Sequence, residues 1–395
     1  MAATARAMQL GDVVRFGNGR AIKPGGEGCY PVYGSNGIIG GCDEFRYENG
    51  VIIGRVGAYC GSVAYCPNKF WASDNTLVAF PASEQTDTKF LFYLLTDAKL
   101  SRYAGGAAQP LVTQTVLKQV EVRVPPLPVQ RRIAGILSAY DKLMENSQRR
   151  IRLLEAMARA LYREWFIRFR IPTEALAKAG VPPIKLVASP LGDIPQGWEV
   201  KKLGETFKTV LGGTPSRVKP EFWEGGTIPW INSGKVNDLR ITEPSELITE
   251  LALERSAAKL MPKGTTVLAI TGATLGQVSF LEIETAANQS VVGIADPSGL
   301  HSEWIYLTVR DRIDGIINHA SGGAQQHINK EVVNDVLVAP PPVPVAKKFK
   351  QLVGPMFRQV AMLLFQVQNL RRTRDLLLPR LLSEQVNLEE SPTSL

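Results

Sequence analysis

The chain has 395 residues, 45% hydrophobic and 21% charged, with a formal net charge of +8. That length supports two or three domains, and the composition is that of a soluble globular chain rather than a disordered or fibrous one. No run approaches the ~18–20 apolar residues of a membrane span, and MAATARAMQLGDVV at the start lacks an apolar core of signal-peptide length, so a cytoplasmic protein is expected.

Residues 1–126 read as a first globular domain of short strands broken by glycine-rich turns. LGDVVRF opens it. In YPVYGSNGIIGGCDEF, Ser35-Asn36-Gly37 is a turn signal between apolar runs. VIIGRVGAYCGSVAYC carries glycines at 54, 57 and 61, a spacing that marks tight turns or close backbone approach. KFLFYLLTDAKLSRY (89–103) reads as a short amphipathic helix, and VEVRVPPLP as a last strand ending at prolines. Cys29, Cys42, Cys60 and Cys66 all lie here. Their spacing fits no zinc ribbon or finger, and reduced structural thiols are expected, with no metal.

Residues 127–170 read as one long helix. Ile133, Leu137, Tyr140, Met144, Ile151, Leu154, Ala158, Leu161 and Trp165 recur in steps of four and three, broken once by the polar Ser147. That is the narrow seam of a coiled coil rather than the wider stripe of a surface helix. Residues 171–190, rich in proline and alanine and without a period, form a connector. Residues 191–342 make a second globular domain, containing GGTPSRVKPEFWEGGTIPWINSGKV, a polar helix near 249–260, the glycine-punctuated TVLAITGATLGQVSFL and a helix over 301–319. Residues 343–386 repeat the long helix, with Phe349, Val353, Met356, Val360, Leu363, Val367, Leu370, Leu377 and Leu381 on the seam and a break at Arg374. Pro355 implies that this helix either starts there or is kinked there. Residues 387–395 are a polar, frayed tail.

The second half therefore repeats the first. GGAAQPLVTQTVLKQVEVRVPPLP (105–128) matches GGAQQHINKEVVNDVLVAPPPVP (322–344) with one gap. IGRVGAYCGSV matches AITGATLGQV around Gly57/Gly272 and Gly61/Gly276, and WASDNTLV (71–78) matches TAANQSVV (285–292). A period above 200 residues excludes solenoids and propellers. Two helices that cannot bury their seams alone most simply bury them against each other; a pairing between two chains would instead give a dimer. Each helix carries an excess of six basic residues, so the remainder of the chain sums to −4. The basic excess fits a solvated outer face, or a surface facing DNA phosphates or an acidic protein.

Enzyme motifs are missing. Gly234-Lys235 lacks the rest of a phosphate-binding loop, GNGR (17–20) is a lone glycine-rich turn, and there is no Asn/Asp-Pro-Pro-Tyr/Phe tetrapeptide of an amino-methyltransferase. His301 and His319 flank a helix and read as surface or capping groups; His327 lies in a loop beside Gln325 and Gln326. No nucleophile, base and oxyanion hole assemble. What is present suits base recognition. Loops carry Asn36, Arg55, Gln109, Asn232, Lys235, Gln325 and Gln326; Arg and Lys pair with guanine, and Asn and Gln with adenine, in the major groove. Tyr59, Trp223 and Trp230 lie near them. The bland alternative is that the amides form turns and the aromatics fill cores. The candidate DNA-contacting set is completed by Lys23, Ser35, Thr214, Ser216, Arg217, Lys219 and Thr274.

GGTPSRVKPEFWEGGTIPWINSGKV, the T-G-A-T-L-G strand pair, AANQSVVGI, SGGAQQHINKEVVNDVLVAPPPVP and the helix after them resemble the specificity subunits of type I restriction-modification systems. YGSNGIIGG, GRVGAYCGSV, ASDNTLV and GGAAQPLVTQTVLKQVEVRVPPLPVQRRIAGIL are looser first-half versions, and the resemblance covers residues 8–386. It implies a mixed α/β fold with two target recognition domains, each reading half of a split DNA site, and two helices packed as an antiparallel coiled coil that spaces them. It implies no catalysis by this chain and no cofactor bound to it. It further implies assembly with two modification (methyltransferase) subunits that use S-adenosylmethionine, and often two restriction subunits that use ATP and Mg²⁺. About 40 helical residues span ~60 Å, beyond the ~34 Å of one DNA turn, so the domains could contact successive major grooves. A protein-only coiled-coil adaptor and, further off, a divergent nuclease are the alternatives. The former is tested by substituting Lys235 and Asn232, the latter by incubation with DNA and Mg²⁺.

Overall fold

A computed structural model describes residues 5–23, 28–106, 109–178, 180, 182–318, 327–383 and 385. Among them the helices of ten residues or more are α1 (Thr88–Asp97), α2 (Leu127–Tyr162), α3 (Ser302–Ile317) and α4 (Val343–Leu382). No helix among the described residues is long and apolar enough to cross a membrane. The chain divides into two compact units, Met1–Glu145 with Gln368–Leu395, and Asn146–Val367. Each unit thus contains part of both long helices.

The first unit holds a six-stranded sheet in the order Val14–Asn18, Thr76–Pro81, Tyr47–Gly54, Val63–Ala72, Tyr30–Gly34, Gly37–Cys42. Tyr30–Gly34 and Val63–Ala72 pair in parallel. Ser35 and Asn36 close the hairpin between the last two strands, with Gly37 at φ 99°, a conformation that glycine adopts without steric cost. Asp87 caps α1 by accepting from the Phe90 N–H at 2.8 Å, satisfying one of the free donors of the first turn. Val51, Ile53 and Leu77 of the sheet, Phe90 and Leu94 of α1, Ile133 and Leu137 of α2, and Leu378 and Leu381 of α4 form one core. Each such side chain contributes about 1.5–3 kcal/mol by leaving water, so tertiary burial more than helix propensity holds these helix segments.

The second unit has a five-stranded sheet (Lys208–Leu211, Val291–Ala295, Thr266–Ala269, Val278–Leu281, Arg240–Ile241) and a four-stranded one (Glu246–Ile248, Ile228–Ile231, Thr285–Ala287, Leu260–Met261). Its main core joins Leu268 and Ile294, Trp304 and Tyr306 of α3, Tyr162 at the end of α2, and Phe349, Val353 and Phe357 of α4.

The duplication is visible bond by bond. Leu10 N–H donates to Val120 O and Leu203 N–H to Val336 O, both at 2.8 Å. Val56 bridges Leu111, and Thr271 bridges His327. One match needs correction. The parallel pairs Tyr33–Ala72 and Ile231–Ala287 equate Ala72 with Ala287, so WASDNTLV is offset from TAANQSVV by one residue and Asn75 corresponds to Ser290. The linear match rested on the alanine and the apolar pair; the ladder fixes the register, because a one-residue slip would turn every side chain to the wrong face.

The seam residues Ile133, Leu137, Met144, Ile151, Trp165, Val353, Val360, Leu363, Val367 and Leu381 are buried, and Tyr140, Leu154, Leu161, Met356, Leu370 and Leu377 are half-buried. Within the second unit Ile151 packs with Val360 and Leu363, and the Trp165 and Phe349 rings lie 5.8 Å apart. In the first unit the Arg374 guanidinium, at one break in the seam, donates to Asp141 at 2.6 Å. Ser147, at the other break, is buried. Helix α4 passes through Pro355, so the helix does not start there. Val353 and Phe357 are buried on either side while Pro355 faces solvent, where water can satisfy the carbonyl that loses its amide partner. Helix α2 gives way to a wider helical turn at Arg163–Ile167, and Phe169 at φ 53° turns the chain away.

Candidate nucleic-acid interface

In the second unit the sequence candidates gather where loops leave the sheets. Gly213 N–H donates to Ala287 O at 2.7 Å and Asn288 N–H to Ile231 O at 3.0 Å, tying the 212–219 loop and the 288–290 turn to the end of the Ile228–Ile231 strand. Asn232 follows that strand and caps the 233–237 turn, its Oδ1 accepting from Lys235 N–H at 3.1 Å. This turn packs against the Gly272–Thr274 turn, so Asn232, Lys235 and Thr274 share one edge. Thr214 Oγ1 donates to Gln289 Oε1.

Two cations on this edge, Lys235 and Arg217, are paired internally. Lys235 Nζ lies 2.9 Å from Asp238 and 3.1 Å from Glu243, with its side chain only 18% exposed. Burial pulls its pKa down, but the hydrogen bonds to the two carboxylates outweigh that and the net shift is upward. Arg217 makes a two-pronged bond to Glu246, Nη1–Oε2 at 2.6 Å and Nη2–Oε1 at 2.7 Å. That bond raises the Arg217 pKa and lowers that of Glu246. The guanidinium also lies 3.6 Å over the Trp223 ring. Trp223 Nε1 donates to Ser216 O at 3.1 Å. Ser216, Val218 and Lys219 are exposed.

The first unit repeats the arrangement with different chemistry. Ser35 Oγ donates to Asn75 O at 2.7 Å and Ser62 Oγ to Ser35 O at 2.6 Å, locking the hairpin tip to the Gly57–Tyr59 turn. Ser35, Asn36 and Tyr59 line one cleft of about 210 Å³. Tyr59 is 59% exposed and Ile38 63% exposed. Tyr59 occupies the place of Thr274, since both end three-residue turns opened by a glycine at positive φ. Arg55 is half-buried with its Nε unpartnered. Gln109 is exposed beside the Gly105–Leu111 bridge, and Lys23 is exposed past the loop that Arg20 N–H ties to Ala72 O.

Some expectations change. Trp230 is 2% exposed, with Nε1 donating to Gly213 O at 3.2 Å; it is a core residue. Its apolar run Ile228–Ile231 forms a strand inside a sheet, and a strand residue facing the core cannot reach a ligand. His301 holds the N-cap position of α3, as expected of a capping group, but its side chain makes no cap bond; its ring packs on Phe207 and Trp304 and its Nδ1 lies 2.9 Å from Asp296. Gln325, Gln326 and His319 lie outside the described residues. The sequence reading missed Glu243 and Glu246, the carboxylates of ITEPSELIT that hold the basic candidates, and the apolar tip residues Ile38 and Val218. The signal for the first pair was an acidic stretch just after a basic turn. No group of three or more potential metal ligands occurs among the described residues, and the four cysteines are free thiols.

Two copies of a mixed α/β fold, each presenting loops at a sheet edge and each followed in the chain by a long helix, define a duplicated recognition module. The chain belongs to the family of the type I restriction modification DNA specificity domain, whose model matches residues 5–156 and 195–350. It is 27% identical over 363 residues to the type I restriction enzyme MjaIX specificity subunit of Methanocaldococcus jannaschii, covering 88% of this chain and 80% of the relative. It is 24% identical over 378 residues to the HindI specificity subunit of Haemophilus influenzae, covering 81% and 82%. The fold matches the crystal structure of a type I restriction-modification S subunit from M. genitalium, with a TM-score of 0.63 at 16% identity over 96% of both chains.

Proposed function

We infer that this chain is the sequence-specific DNA-recognition subunit of a type I restriction-modification system. The observation that carries this is the pair of equivalent loop edges, one per unit, within a chain whose family is defined by DNA specificity. Their side chains differ, with Asn36, Ile38 and Tyr59 on one and Arg217 and Thr274 on the other. The two units therefore read different half-sites of a split target, through base contacts each worth ~1–3 kcal/mol. The long helices act as an antiparallel coiled coil that sets the gap. The seam clusters inside each unit support this: early α2 residues group with late α4 residues in the first unit, and late α2 residues with early α4 residues in the second.

The chain is a scaffold without catalysis of its own. Modification subunits using S-adenosylmethionine methylate the site, and restriction subunits using ATP and Mg²⁺ join where the system also cuts. Because Arg217 and Lys235 on the second unit's loop edge are paired to carboxylates, these two cations offer little free charge to phosphates, and affinity depends on partner subunits. The test is methylation mapping. The chain is co-expressed with its modification subunit and modified bases are located by long-read sequencing. A single split motif with one fixed gap is expected. No new methylation from a soluble, co-purifying pair would overturn the reading and favour a protein-only adaptor.

A further inference from the structure

We propose that Arg217 is a guanine-reading residue held in reserve by Glu246, whose carboxylate occupies the guanidinium fork until a guanine edge in the target half-site replaces it. This rests on the DNA-recognition reading and assigns one residue its base.

The geometry carries the argument. Two N–H groups of Arg217 point in parallel at two oxygens of Glu246, at 2.6 and 2.7 Å. Guanine presents the same pattern in the major groove, two acceptors, O6 and N7, side by side. The plane of the fork is already set. One face of the guanidinium rests 3.6 Å over Trp223, which stands edge-on to Trp230 with centroids 5.3 Å apart. Trp230 is buried and tied to Gly213 O, and Trp223 is tied to Ser216 O. Both ends of the 213–216 segment are thus anchored, and only the acceptor facing the fork needs to change.

Magnitudes decide that the exchange is feasible. Both side chains are about half exposed, 53% and 42%. Exposed ion pairs favour the closed state by up to about fivefold, and the two-pronged geometry puts this one at the top of that range. A well-formed two-pronged base contact discriminates by roughly 5- to 150-fold. Guanine can therefore displace Glu246, while adenine, which turns an amino donor toward the fork, cannot. Glu246 in this way acts against the wrong base as well as holding the right shape. Lys235 differs in kind. It is 18% exposed, held by two carboxylates, and has no fork; it positions its turn.

Methylation mapping of the full chain with its modification subunit tests this, comparing wild type with Arg217→Lys and Glu246→Gln. Arg217→Lys keeps the charge and loses the fork. It is expected to relax one guanine position by about 5- to 150-fold, with the other positions and the gap unchanged. Glu246→Gln is expected to keep that guanine and lose part of the discrimination against adenine there. The proposal is overturned if Arg217→Lys methylates with unchanged base preference, if preference loosens across the whole half-site, or if the variant loses its thermal transition, since each makes Arg217 structural. A wild-type chain that directs no split-motif methylation would instead sink the DNA-recognition reading itself.

Discussion

Arg217 and Lys235 carry the same charge and both face carboxylates, yet exposure separates them. The half-exposed fork can exchange partners, whereas the nearly enclosed ammonium cannot leave two acceptors without a desolvation cost. Asn232 belongs with Lys235. As the cap of the 233–237 turn, its replacement by alanine is expected to cost about 1 kcal/mol, measurable by urea denaturation. A second residue-scale prediction concerns Asp296, which accepts from Ser298 and from the backbone and ring of His301. Burial pushes its pKa up, but these hydrogen bonds outweigh burial and hold it below 3.8. A depressed carboxyl stabilises above its unfolded pKa and loses that contribution as pH falls through the folded one. Asp296→Asn is therefore expected to cost about 1–3 kcal/mol at pH 7, with the difference from wild type closing below pH 3.8. A difference constant from pH 7 to pH 3 would contradict this. The basic candidates at this scale were legible because charge and turn signals are local. Their acidic partners were not, since which carboxylate meets Arg217 is settled by strand pairing between Glu246 and Trp230.

Strands and helices of the second unit meet around Arg240. Its guanidinium is wholly enclosed, donating to Glu155 of α2 at 3.0 Å and to Glu282 at 3.1 Å. Phe280, Tyr306 and Phe357 surround it at 4.8, 4.8 and 3.9 Å. The cluster joins the sheet, α2, α3 and α4 inside the second unit. The first unit has a smaller counterpart, in which Asp141 of α2 accepts from Arg374 of α4 and from the Tyr93 hydroxyl of α1. Burial, then the bond to Asp141, pushes the Tyr93 pKa up. Removing one partner of a buried cluster leaves charge stranded, so Arg240→Met alone is expected to cost about 3–5 kcal/mol. Replacing Arg240, Glu155 and Glu282 together by apolar residues of similar volume is expected to be near neutral. Denaturant melts of both variants check this, and equal losses would refute it. The seam of each helix was legible from spacing alone, because a period of four and three repeats over many turns. Arg240 was not. In the sequence it is one arginine after a loop, and nothing local tells a buried hub from a solvated charge.

At the scale of the molecule, stability is expected to respond unit by unit. Leu137→Ala empties a fully buried place in the first core and is expected to cost about 2–5 kcal/mol there, and Phe357→Ala about 3–5 kcal/mol in the second. With no shared partners, their effects are expected to add within ~0.5 kcal/mol. Strong non-additivity in calorimetry would refute independence. The duplication itself was legible, since glycines that fix turns and prolines that end strands recur in order. The sharing of each long helix between both compact units was not, because a seam shows that a helix needs a partner without showing where along it a domain changes.

That sharing bears on how the protein is made. The second unit is one continuous stretch, 146–367, complete as soon as it is synthesised. The first needs Leu378 and Leu381 from the far end of the chain to cover Ile133 and Leu137. At ~5–20 residues per second, the roughly 220 residues between Glu145 and Gln368 take about 11–44 s to emerge. Through that interval the half translated first waits with an open apolar face, and at its end the half translated second has all its residues while the first still lacks Leu378 and Leu381. Biosynthetic order and order of completion are thus reversed, and a chain cut short between Val367 and Leu378 has its leading half, rather than its trailing one, exposed to chaperones and proteases.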